Sequence, residues 1–171
     1  CEKKNGFLHS VDMEDYSNVA RSEKWKFHLS RDDNFDYLEK VLPKKFDLIY
    51  LDSFHNADHV EKIFYYYYHK LKVGGVFVFD DISWIPYLKN KERNNFNCEI
   101  NNQETFERIV NIFSNNDENF ELSFYFLGSG SAKVKKIREN GLFKNQKIIS
   151  RRNSFKNLIR KNINFFKQFF S

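Results

Sequence analysis

Three aspartates and a histidine are the side chains through which this chain could do chemistry: Asp52, Asp80, Asp81 and His55. All four fall within Lys45–Trp84, KFDLIYLDSFHNADHVEKIFYYYYHKLKVGGVFVFDDISW. Asp52 closes one short apolar run, Phe46–Leu51; Asp80 and Asp81 close a second, Val76–Phe79. Adjacent carboxylates after a buried run repel one another unless they are solvated or neutralised by a cation. His55 lies three residues past Asp52 and is either a partner in this cluster or an exposed loop residue. His59, one turn further on, is its rival as a base or a helix-surface histidine.

Acids at the ends of two apolar runs meet only if those runs are neighbouring strands. Runs of this length, bounded by turn residues, suit buried strands. A helix-length segment, Asn56–Leu71, separates them and is closed by Gly74-Gly75. Strand, helix and strand in about 35 residues form a right-handed parallel crossover. Both strands then present their carboxyl ends on one edge, where open α/β sheets bind ligands. Within the helix, Val60, Ile63, Phe64, Tyr67 and Leu71 form one buried stripe. The four tyrosines Tyr65–Tyr68 point to different faces at 100° per residue, so they pack rather than form a stacking platform.

Outside this core, Gly6–Asp12 and Trp25–Ser30 read as two further strands, joined by a polar loop. Asp33 or Asn34 caps a helix to about Val41, which Pro43 stops. Lys89–Asn102, polar and rich in asparagine, reads as a surface loop or lid. Gln103–Phe113 reads as a helix with Phe106, Ile109, Val110 and Phe113 on one face. Phe120–Leu127 and Ala132–Ile137 read as an antiparallel pair across Gly128-Ser129-Gly130-Ser131, a hairpin turn in preference to a phosphate loop. The fold class is α/β: a Rossmann-like, doubly wound, mainly parallel sheet with helices on both faces and an antiparallel C-terminal edge.

The 171 residues suit one domain. Cys1 and Cys98 make neither a metal-binding spacing nor a disulfide framework, which points to a reducing, cytoplasmic compartment. No apolar stretch is long enough to cross a bilayer. The net charge of +5 is unevenly spread: Lys133 onward carries +11, the remainder −6. From Ser154 the residues Phe155, Leu158, Ile159, Ile163, Phe166 and Phe170 keep helical spacing among Lys and Arg. That is a basic amphipathic helix, suited to an anionic membrane surface, to nucleic acid, or to packing on the acidic body or a second copy.

FDLIYLDSFH, a helix and then LKVGGVFVFDDISW resemble the class I S-adenosylmethionine-dependent methyltransferases. The similarity is to the small-molecule O-methyltransferase branch with metal-dependent catechol, caffeoyl-CoA and macrolide-sugar members, and it covers about Phe7 to Ile137. It implies S-adenosylmethionine as cofactor, with Asp12 accepting the ribose hydroxyls and Asp33 (Asp32 its near rival) near the adenine amino group. It implies Asp52, Asp80 and Asp81 as ligands of Mg²⁺ or another divalent cation, and His55 as general base toward a small hydroxylated acceptor such as a sugar or natural product. A homodimer is a further implication. Each residue has a plainer role open to it: Asp12 and Asp33 or Asp32 as caps, and Trp84 as core rather than pocket wall.

The resemblance divides the chain into a methyltransferase-like domain, 1–138, and a basic tail, 139–171. It also implies that a strand and glycine-rich loop precede Gly6–Asp12, so the domain is N-terminally incomplete. The missing strand belongs at the centre of the sheet, between those ending in Asp12 and Asp52. Two other readings compete: a non-catalytic α/β scaffold whose tail binds an anionic membrane surface or nucleic acid, and a nucleotide-sugar or phosphatase-like enzyme.

Overall fold

The structure is a computed structural model that describes residues 5–85, 87–91 and 96–144, together with 155, 156, 159 and 163. Its elements run β1 (Leu8–Asp12), β2 (Trp25–Leu29), α1 (Phe35–Val41), β3 (Phe46–Leu51), α2 (Ala57–Tyr68), β4 (Leu71–Asp80), α3 (Phe96–Ser114), β5 (Phe120–Tyr125) and β6 (Ser131–Lys136). The strands form two sheets, β1-β2 and β3-β4-β6-β5. The first sheet is parallel, as is the β3–β4 pair; β6 runs antiparallel to both β4 and β5. The Rossmann-like α/β reading therefore stands, with the antiparallel edge at the C-terminal side. No pairing joins the two sheets among the described residues; the resemblance implies a further strand between β1 and β3.

Alternation along the strands decides which face is core. Ile49, Leu51, Phe77, Phe79, Ala132, Val134 and Phe120 join one apolar cluster with Leu38 of α1, Ile63 and Phe64 of α2, and Ile109 and Ile112 of α3. Phe64 is its hub, with edge-on contacts to Phe77, Phe79, Tyr68 and Phe120 at 5.0–5.9 Å. Burying a side chain of this size stabilises by about 1.5–3 kcal/mol. Leu48 and Tyr50 point the other way and are 60% and 58% exposed. Helices were expected on both faces; among the described residues all three feed this one core. Residues 13–24, which connect β1 to β2, form turns rather than a helix on the opposite face.

Two boundaries differ from the sequence reading. Strand β4 begins at Leu71, five residues before Val76, and runs through Gly74 and Gly75. Gly74 takes φ +80°, and pairing with β3 slips there, from Phe46↔Leu71 to Leu48↔Val76. The glycines thus make a bulge inside the strand, not a turn before it. Helix α3 begins at Phe96, inside the segment read as a loop. The asparagines there do not break it, because Asn102 is buried and its Nδ2 donates to the Ser83 carbonyl at 3.1 Å. The tail helix lies largely outside the described residues; Phe155, Lys156, Ile159 and Ile163 are helical and exposed.

Candidate active site at the carboxyl ends of the strands

Each residue singled out for chemistry sits at or just past the carboxyl end of a strand. Asp12 ends β1, Asp33 follows β2, Asp52 and His55 follow β3, and Asp80 and Asp81 end β4. The loop carrying Asp52 and His55 is held by the start of α2. Asn56 caps that helix, its Oδ1 accepting the N–H groups of Asp58 and His59 at 3.0 and 3.3 Å.

His55 joins the two strand ends. Its Nε2 lies 3.1 Å from Asp81 Oδ2 and 3.7 Å from Asp52 Oδ1. The imidazole is 38% exposed, so it is anchored by carboxylates and open to solvent at once. Asp81 sits at φ +55°, a left-handed conformation that aspartate tolerates better than most residues. That bend separates two neighbouring carboxylates that would otherwise repel: Asp81 faces His55, and Asp80 turns away. Asp80 Oδ2 accepts the Tyr50 hydroxyl at 2.7 Å, and its Oδ1 accepts the Asp81 N–H at 2.9 Å and the Ser129 hydroxyl at 3.3 Å. The bond to Asp80 holds Tyr50 in its neutral form, pushing its pKa up to about 12.

The Gly128–Ser131 turn supports this edge. Ile82 and Ser83 N–H donate to the carbonyls of Gly130 and Ser129 at 3.3 and 2.8 Å. A hairpin turn, as read, it also clasps the chain just past Asp81. Trp84 meets Phe106 of α3 edge-on at 5.8 Å, which is packing.

Asp12 is exposed, with one oxygen accepting the Glu14 N–H at 2.9 Å. A carboxylate with further lone pairs toward solvent at a strand end suits vicinal hydroxyls. Asp33 does not cap α1; Asn34 holds that position without a side-chain bond. Asp33 instead accepts Arg31 Nε at 2.8 Å and Lys62 Nζ at 3.1 Å, and these cations hold its carboxyl far below the usual carboxylate range. His59, weighed as a surface histidine, is 9% exposed and lies 3.0 Å from Asp32 Oδ2. Neither Tyr50 nor Ser129 was legible as a site residue: each is recognised only once strand pairing sets it beside Asp80.

The residues do not fit a three-carboxylate cation site as arranged. Asp52 and Asp81 flank His55, Asp80 faces Tyr50, and among the described residues no group of three acids, histidines or cysteines could hold a metal ion. The arrangement suits a proton acceptor better: an exposed imidazole between two carboxylates that orient it and offset the positive charge it gains.

The sheets, with acids at their carboxyl edges and an antiparallel C-terminal strand pair, are of the Rossmann-like α/β kind. Residues 2–82 match a family described as a methyltransferase domain. Among solved structures, the MycE methyltransferase from the mycinamycin biosynthetic pathway, in complex with Mg, SAH and mycinamycin VI, is similar at 19% identity and TM-score 0.56, over 85% of this chain and 39% of that one. A putative caffeoyl-CoA O-methyltransferase from Staphylococcus aureus is similar at 13% identity and TM-score 0.57, over 76% and 64%. The SAH-bound methyltransferase PaMTH1 of Podospora anserina is similar at 15% identity and TM-score 0.53, over 72% and 53%. The chain spans about two fifths of the length of MycE. No curated protein matches it by sequence. Among the described residues no helix is long and apolar enough to cross a membrane.

Proposed function

We propose that this chain forms part of an S-adenosylmethionine-dependent O-methyltransferase acting on a small hydroxylated acceptor, with His55 as general base. The observation that carries the reading is His55 between Asp52 and Asp81 at the carboxyl edge of a methyltransferase sheet. The cofactor, when bound, supplies a sulfonium methyl group and leaves as the neutral thioether. Asp12 accepts the ribose hydroxyls. Asp81 and Asp52 orient the imidazole, and His55 takes the acceptor's hydroxyl proton onto a ring nitrogen as the oxygen becomes the nucleophile. Holding the acceptor oxygen in line is the larger contribution, as in any transfer between two bound partners. A sugar or natural-product hydroxyl is the favoured acceptor; similarity to MycE, whose structure includes mycinamycin VI, supports that choice.

Metal assistance is a second reading. It is supported by three carboxylates on adjoining strand ends and by Mg in the MycE structures. It requires Asp80 to exchange Tyr50 for a cation.

We further propose that a strand from outside these residues fills the division between β1 and β3. The pairing pattern supports this, since each has a partner on one side only among the described residues. Exposed Phe155, Ile159 and Ile163, at helical spacing in a basic tail, support an anionic surface contact, and the cysteine content supports a cytoplasmic setting.

The test is methyl transfer by the full-length gene product from S-adenosylmethionine to a panel of hydroxylated sugars and macrolides, with His55→Gln and Asp81→Asn variants and with EDTA. General-base contributions run to about 10²–10⁴-fold, so His55→Gln should lose turnover on that scale. Undiminished turnover by His55→Gln would refute the base assignment. Loss of turnover in EDTA, restored by Mg²⁺, would favour the second reading.

A further inference from the structure

Resting on that reading, we infer that His59 is a positioning residue for the cofactor, acting through the Asp32-Asp33 turn. The turn leaves the end of β2 and is tied to α2 by three side chains of that helix. His59 Nε2 lies 3.0 Å from Asp32 Oδ2, the Tyr67 hydroxyl donates to the Asp32 carbonyl at 3.2 Å, and Lys62 Nζ donates to Asp33 Oδ2 at 3.1 Å. Residues 59, 62 and 67 all belong to α2, so a single rigid element fixes the turn at three points. The His59 contact is a direct one, from a ring nitrogen to a carboxylate oxygen.

Several features separate this contact from an incidental surface pair. The His59 ring is nearly fully buried, with Phe54 edge-on against it at 5.8 Å. The Asp32 and Asp33 side chains are themselves only 24% and 17% exposed. Asp33 is already engaged by Arg31 and Lys62, so its carboxylate cannot search for a ligand; its placement is set by what holds the turn. His59 also stands four residues after His55 on the same continuous stretch, with Asn56 capping the helix between them. The segment carrying the proposed base therefore also anchors the turn that the resemblance sets near the adenine amino group.

The prediction is a split between substrates. Losing one charge-assisted hydrogen bond that orders a binding turn is worth about 1.5–3 kcal/mol, or roughly a 10- to 100-fold change in affinity. In the full-length gene product, His59→Ala should weaken S-adenosylhomocysteine binding by titration calorimetry on that scale and raise KM for S-adenosylmethionine. kcat and the acceptor's KM should change less than two-fold. His59→Gln, which keeps a donor near the same place, should recover most of the affinity, and Asp32→Asn should reproduce part of the loss. If His59→Ala fails to fold, the Gln and Asn variants carry the comparison.

Unchanged cofactor affinity in all variants overturns the inference. So does an equal fall in cofactor affinity, acceptor affinity and kcat, which is what simple loss of packing would give. Absence of S-adenosylhomocysteine binding by the unmodified protein overturns the methyltransferase reading instead, so the two failures are distinguishable.

Discussion

Gly130→Ala should destabilise the protein at least about twice as much as Gly128→Ala, although both lie in one turn and both have positive φ. Gly130 takes φ +79° and Gly128 φ +64°. A side chain in the left-handed region costs about 1–2 kcal/mol, so each substitution carries that much. At Gly128 a new Cβ meets nothing within 4 Å, and the cost stops there. At Gly130 it would lie 2.6 Å from Ser83 Cβ, 2.8 Å from Ser83 N and 2.9 Å from Ser83 Cα. These are backbone and near-backbone atoms, and Ser83 N–H is held to the Ser129 carbonyl, so it cannot give way alone. Overpacking of this kind adds about 1–3 kcal/mol, for a total of about 2–5 kcal/mol. In a chain of this size the difference between the variants corresponds to about 2–12 °C in Tm. Urea titration followed by circular dichroism reads both free energies directly. Equal destabilisation, or a Gly130→Ala cost below that of Gly128→Ala, would refute the argument that the turn is pressed against Ser83. It would also remove the proposed support for the strand end that carries Asp81.

Two further outcomes follow from the same geometry. Asp33 has its pKa depressed in the folded state by Arg31 and Lys62, so its contribution to stability is fully present above the ordinary carboxylate pKa of about 4 and is lost as pH falls below it. The Tm difference between the unmodified protein and Lys62→Met should therefore be larger at pH 7 than at pH 3; a difference that grows on acidification would contradict the pairing. For the division in the sheet, amide hydrogen exchange should show Leu8–Asp12 and Phe46–Leu51 better protected in the full-length gene product than in residues 1–171 alone, and equal protection would exclude a strand between them.

Local periodicity made most of the core visible. Val60, Ile63, Phe64 and Tyr67 are buried as their helical spacing requires, while Leu71, read as part of the same stripe, is buried as the first residue of β4. The four consecutive tyrosines do reach separate partners: the Phe143 carbonyl, Glu39, the Asp32 carbonyl and the Asn119 carbonyl, in order. Polar residues that find partners from distant segments were not visible. Lys136 looks like a solvent-facing lysine in an alternating strand, yet it is 1% exposed. Its Nζ donates to the Leu71 carbonyl at 3.0 Å, meets Glu139 at 3.3 Å and lies over the Tyr68 ring. Asn116 and Asn119 are buried because their amides satisfy the Phe143 N–H and the Ile112 and Gly141 carbonyls. Such bonds offset the cost of burying an amide, but nothing in the local sequence announces them.

The site divides along the same line. The strand-end positions of Asp52, Asp80 and Asp81 follow from two apolar runs and a crossover. Which carboxylate faces which partner depends on one backbone angle, φ +55° at Asp81, that no pattern of residue types encodes. That angle turns two adjacent acids to opposite tasks, Asp81 toward the imidazole of His55 and Asp80 toward the hydroxyl of Tyr50. A reading from residue types alone pools them as ligands of one ion. The geometry instead gives His55 a carboxylate on either side and leaves Asp80 to Tyr50 and Ser129.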